Sequence, residues 1–130
     1  MAEMSNYLEN ALINVTLRNT TYTAPATVYV SLWTSDPTDA GSGTEVSTSG
    51  TSYARQSVTF GAPSSGASLN TTAVEFPQAT ASYGTVGWIG INDAVSSGNL
   101  LYHSPLTTSK TIDTGDIFKI AIGSLSVTLS

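Results

Sequence analysis

The chain has 130 residues and a mass of 13.5 kDa, with four basic and nine acidic side chains, a net charge of −5, one His and no Cys. This size suits a single domain, residues 1–130, with a core of its own and no disulfide or thiolate-metal staple. The acidic balance argues against nucleic acid as a partner, no apolar run approaches the length of a membrane helix, and no basic-then-apolar leader signals export.

Asn6 to Arg18 is predicted as an amphipathic helix, because Met4, Leu8, Ala11, Leu12 and Val15 recur at helical spacing with Tyr7 beside them. Asn6 followed by Glu9 has the form of a capping box, Arg18 suits the negative end of the helix dipole, and Asn19 with Pro25 supplies a stop. From Ala26 the period changes to two. Val28, Val30 and Leu32 alternate with Tyr29 and Trp33, as expected of a central strand covered on both faces. Asp36 to Ser52 is then expected as a long exposed loop, rich in Gly, Ser and Thr and with little core of its own.

Alternation resumes from Tyr53 to Phe60, Gly61 to Gly66 is a turn, and Ser68 to Phe76 forms a further strand. Thr85 to Asn92 follows, with Val86 and Trp88 on one side and Ile89 and Ile91 on the other; a turn over Asn92 to Asn99 leads into Leu100 to Leu106. Phe118, Ile120 and Ile122, then Gly123-Ser124, then Leu125, Val127 and Leu129, have the pattern of a terminal β-hairpin. The sum is an all-β fold, an antiparallel β-sandwich of about seven or eight strands in Greek-key or jelly-roll connection, with the N-terminal helix over an end or edge.

Hydroxyls are abundant: 19 Ser and 20 Thr. Interleaved with Val, Ile, Leu and Trp, they indicate folded β structure rather than disorder. They equally suit a surface that lies against other protein, since hydroxyls desolvate more cheaply than charges.

Candidate chemistry is sparse. His103 is the lone imidazole, at the end of a strand, and reads as a surface or turn residue. Asp36, Asp39 and Glu45 could offer carboxylates to calcium but lack the alternating spacing of an EF-hand loop, so no metal or other cofactor is expected. Asp113 and Asp116 flank Thr114-Gly115 in a turn and read as backbone acceptors rather than a glycosidase pair. Trp33 and Trp88 read as packing groups before they read as a sugar-binding platform. No enzyme activity is expected. Partner contact is assigned to the features that break the strand pattern, namely the helix stripe Leu8, Leu12 and Val15 and the loop residues Asp36, Pro37, Asp39 and Glu45.

The run Ser5-Asn6-Tyr7-Leu8-Glu9-Asn10-Ala11-Leu12, with Tyr22 to Thr34 and Asp36-Pro37-Thr38-Asp39, resembles a family of small tailed-phage virion proteins. Tyr53-Ala54-Arg55-Gln56, Phe60-Gly61-Ala62-Pro63, Gly87-Trp88-Ile89-Gly90-Ile91 and Asn99-Leu100-Leu101-Tyr102-His103 extend the resemblance over nearly the whole chain. It implies a non-enzymatic particle component made in the host cytoplasm. The expected role is a capsid cement or decoration protein on the outer surface of the head, bound to the major capsid protein and self-associated as a homotrimer. The alternative is a tail-fibre or tail-tip protein, with carbohydrate binding a further option.

Overall fold

The computed structural model describes residues 2–129. In chain order the elements are β1 (Glu3–Met4), α1 (Asn6–Leu17), β2 (Val28–Trp33), β3 (Gln56–Val58), β4 (Ala67–Leu69), β5 (Val74–Glu75), β6 (Gly84–Asn92), β7 (Leu100–Ile112), β8 (Lys119–Ile120) and β9 (Ser126–Thr128). The main sheet has the order β1-β7-β6-β2-β3, and β4-β9 and β5-β8 form two short ribbons; every pairing is antiparallel. The fold is thus all-β with one N-terminal helix, in a sandwich-like arrangement of nine strands among the described residues.

Residues opposite one another in an antiparallel ladder share a face. Val30 and Leu32 of β2 therefore sit with Ile91 and Ile89 of β6, on the side turned toward the ribbons. There Val30, Leu32, Val58, Val86, Ile89 and Ile112 meet Val74, Phe76, Ile120 and Leu125 in one buried cluster. Aromatic rings fill its centre: Tyr53 stacks on Phe76 at 6.0 Å, and Tyr83 and Phe118 contact that pair edge-on.

The strand pattern departs from expectation at three places. A register shift between Val86 and Trp88 places Val86 and Ile89 on the core side together, so Trp88 faces Trp33 across the sheet's other side. One extra residue in a strand reverses the parity of everything beyond it. The second departure is at residues 118–129, which make no hairpin: β8 pairs with β5 and β9 pairs with β4. Residues 67–75 and 119–128 are one antiparallel ladder interrupted where residues 70–73 stand opposite 121–125. The buried Asn70 bridges the gap, accepting the Leu125 N–H on its side-chain oxygen and donating its amide to the carbonyls of Thr72 and Ala121. This break divides the expected Ser68 to Phe76 strand in two, and with the unforeseen β1 it raises the strand count.

The third departure is the loop. Residues 36–52 are not a detached exposed segment, because their first part folds back on β2: the Thr34 N–H donates to Thr44 O, the Val46 N–H to Leu32 O, and Trp33 bridges Glu45. Val46 enters the core cluster and Pro37 is fully buried. A hydroxyl-rich sequence can conceal such anchors, since two buried residues suffice to fix a loop whose other side chains stay in water.

The sheet's second face is covered by the start of α1 and by this loop. Trp33 Nε1–H donates to Ser31 Oγ at 2.8 Å, and Ser31 donates to Asn92 Oδ1 at 2.6 Å, so these buried polar groups are linked in a short donor-to-acceptor chain. Gly90 lies beneath them. A Cβ there would stand 2.7 Å from Ser31 Oγ, 2.8 Å from Leu100 Cδ1 and 2.9 Å from Trp33 Nε1. Gly90→Ala should therefore cost about 1–3 kcal/mol through overpacking and loosen the indole hydrogen bond. Urea unfolding followed by Trp fluorescence measures both, and an unchanged midpoint would contradict the packing described.

Candidate functional site

Three segments meet at one rim of the sheet. Ser5, rather than Asn6, caps α1: its Oγ accepts the Leu8 N–H at 3.2 Å, its hydroxyl donates to Leu100 O, and its own N–H donates to Leu101 O at 2.9 Å. The Asn6 N–H donates to Asp39 O at 2.9 Å, which ties the helix start to the loop after β2. Leu8 is buried against the sheet, whereas Leu12 is half-buried and Val15 is 41% exposed. The helix ends as its sequence suggests. Asn19 takes a positive φ of 52°, and the Arg18 guanidinium donates to Asn14 Oδ1 at 3.1 Å.

His103 lies in the interior of β7, opposite Glu3 of β1 and Gly90 of β6. It is only 5% exposed, which corrects the expected surface position: a single imidazole inside Leu100-Leu101-Tyr102 belongs to the covered face of a strand. Its Nε2 is 2.8 Å from Asp39 Oδ1 and 4.0 Å from Glu3 Oε2. The three donor atoms lie within 4.8 Å of one another. Glu3, Asp39 and Glu9 also line a surface groove of about 340 Å³ that reaches Thr128 and Leu129. Sequence spacing could not reveal this cluster, because its members are joined only by the pairing of β1 with β7 and by the return of the loop.

The other loop residues have different surroundings. Asp36 is exposed, and its Oδ1 accepts the Thr38 N–H at 2.9 Å in a local turn. Glu45 belongs to an internal network: Arg55 donates to both its oxygens, at 2.8 and 2.9 Å, and the Tyr53 hydroxyl donates to Oε2 at 2.6 Å. The Tyr53 hydroxyl oxygen (Oη) also accepts the Leu32 N–H at 3.0 Å, and Arg55 Nη1 donates to the carbonyls of Ala94 and Ser97, each at 2.9 Å. Of the seven residues expected to face a partner, the structure brings Leu8 and Asp39 to one rim, holds Pro37 and Glu45 within the fold, and leaves Asp36 and Val15 toward solvent, with Leu12 between. Arg55 and Tyr53 escape a sequence reading because each is ordinary at its place in an alternating strand.

Fold and rim together define a small antiparallel β protein whose sheet is capped by a helix and a returning loop. The chain belongs to the family described as podophage GP4 fiber I protein gp80, whose family model matches residues 3–128, and it is accordingly a phage virion structural protein. No curated protein matches it.

Burial pushes the Tyr53 hydroxyl well above its ordinary value of 10.0, and the hydrogen bond and negative charge of Glu45 push it further in the same direction. The native state thus keeps a proton that the unfolded chain releases. The stability tied to this group is full below about pH 10 and is lost as pH rises from there toward the raised native value. The urea midpoint should be level up to about pH 9 and fall beyond about pH 10. Tyr53→Phe should lose about 1–3 kcal/mol at neutral pH, through the Leu32 N–H left without its acceptor and the lost hydrogen bond to Glu45, which keeps Arg55, but show a shallower alkaline fall. A fall as steep as in the unsubstituted protein would remove Tyr53 as its source.

Proposed function

We propose that the protein is a non-enzymatic component of a phage fibre, carried on the particle as a homo-oligomer, with three copies the expected number. The observation that carries this reading is the match to a fibre-protein family along nearly the entire chain, from residue 3 to residue 128. It favours a fibre over the head surface, the position expected from sequence, and over a cement role on the major capsid protein. The structure is consistent with a building part. Of the aromatic rings considered for a sugar platform, Trp33 is buried over Gly90 and Tyr53 and Tyr83 lie in the core, while Trp88, Tyr22, Tyr29 and Tyr102 are half-buried and Tyr7 is exposed. The distal half of α1 instead presents Ile13, Val15 and Leu17 to the outside, Leu17 at 79% exposure. Apolar side chains on a neutral, hydroxyl-rich surface suit contact with further copies or with another particle protein.

Two measurements test this. Immunogold labelling or cryo-EM of particles should place the protein on fibres; density confined to the head surface would instead establish the cement role. Light scattering on the purified chain should return a multimer, and Ile13→Glu with Leu17→Glu should shift it toward monomer without lowering the melting temperature. A monomer at micromolar concentration, together with no clustered copies on the particle, would refute self-association.

A further inference from the structure

The rim cluster joins one buried imidazole nitrogen to two carboxylates from separate segments. We propose that Glu3, Asp39 and His103 bind a divalent transition-metal ion of the Zn2+ class.

The donor set argues for it first. A neutral imidazole Nε2 with two carboxylate oxygens suits Zn2+ and its first-row neighbours, whereas Ca2+ and Mg2+ take oxygen ligands. Charge argues next. Nε2 has one proton at most and serves one acceptor, Asp39 at 2.8 Å, so the Glu3 carboxylate at 4.0 Å takes no hydrogen bond from it. Among the described residues, the cationic side chains in ion pairs are engaged elsewhere, Arg55 with Glu45 and Lys119 with Glu75. Glu3 and Asp39, with Glu9 on the same groove, therefore concentrate negative charge around a nitrogen ligand.

Placement completes the argument. Donor atoms around tetrahedral zinc, with bonds of about 2.0–2.1 Å, stand about 3.3 Å apart. The observed separations of 2.8 and 4.0 Å fall on either side of that figure. His103 is held by the sheet, while the Asp39 and Glu3 side chains, 50% and 70% exposed, have room to adjust by rotation. The backbone brings the donors together without an ion, through the Glu3–His103 register and the Asn6-to-Asp39 hydrogen bond. Three protein ligands leave a fourth position for water on the groove side, and an ion bound there clips β1 and the loop to β7.

The test uses the full chain without an affinity tag, stripped of metal with a chelator. Co2+ titration should produce visible d–d absorption that saturates at one ion per chain and is displaced by Zn2+. At Zn2+ about 100-fold above its Kd the melting temperature should rise by about 8–10 °C, with no comparable response to Ca2+ or Mg2+. Asp39→Asn and Glu3→Gln, both at exposed side chains, should keep the circular dichroism spectrum and each weaken Zn2+ binding about tenfold or more; His103→Gln should abolish it. Should His103→Gln not fold, the two carboxylate variants decide. Absence of stoichiometric binding by the unsubstituted chain, undiminished Zn2+ affinity in both carboxylate variants, or an equal response to Ca2+ overturns the assignment.

Discussion

The guanidinium of Arg55 is nearly buried, and the sheet's loop-covered side is arranged around satisfying it. A charge removed from water requires a counter-charge and hydrogen-bond acceptors in good geometry, and losing one partner of such a pair costs about 3–5 kcal/mol. Glu45 supplies the charge from the loop after β2, and the carbonyls of Ala94 and Ser97 supply the remaining acceptors from the β6–β7 turn. Two connections far apart in sequence are thereby fixed against the segment leading into β3. The hydrogen bond to Glu45 raises the Arg55 pKa despite burial, so the guanidinium remains a cation in the folded protein.

With the loop held in this way, the main sheet has two covered faces instead of one. On the ribbon side it meets aliphatic and aromatic groups; on the other, Trp33, Ser31 and Asn92 exchange hydrogen bonds, and no buried side-chain N or O among the described residues lacks a partner. The polar side has little tolerance for change, because the Ser31 hydroxyl there is both donor and acceptor between Trp33 and Asn92. It is also the side that carries His103, which explains why the histidine is buried yet reaches the rim.

Periodicity revealed the local structure well and the pairing poorly. The helical stripe around Leu8, the twofold pattern of Val28 to Trp33 and the turn from Asp93 to Asn99 are all present, since each is governed by contacts between near neighbours. The alternation from Phe118 to Leu129 holds only in part: Ile120 and Leu125 are buried, but Ile122 and Leu129 are exposed, and Gly123-Ser124 bends the chain instead of reversing it. Nothing in that dipeptide identifies a partner fifty residues away. The bulge beside Gly87 and the burial of Val46 were hidden for the same reason: both are fixed by strands that lie elsewhere in the sequence. The rim cluster is the extreme case, assembled from residues 3, 39 and 103.

The ladder between residues 67–75 and 119–128 bears on how the protein is made. The ring of Phe118 closes against Phe76, and Val74 pairs with Ile120, so the ribbon layer lacks half its material until those late residues leave the ribosome. At the other extreme β1 has no neighbour until His103 and Tyr102, about a hundred residues further along the chain, have been made. A nascent chain can form the α1 turn and the β6–β7 hairpin from residues close in sequence, but β4 and β5 stay unpaired until residues 119–128 follow. Closure of such distant pairs is slow. The scarcity of charge that suits the finished surface leaves the growing chain with little electrostatic protection against association while its strands are unpaired.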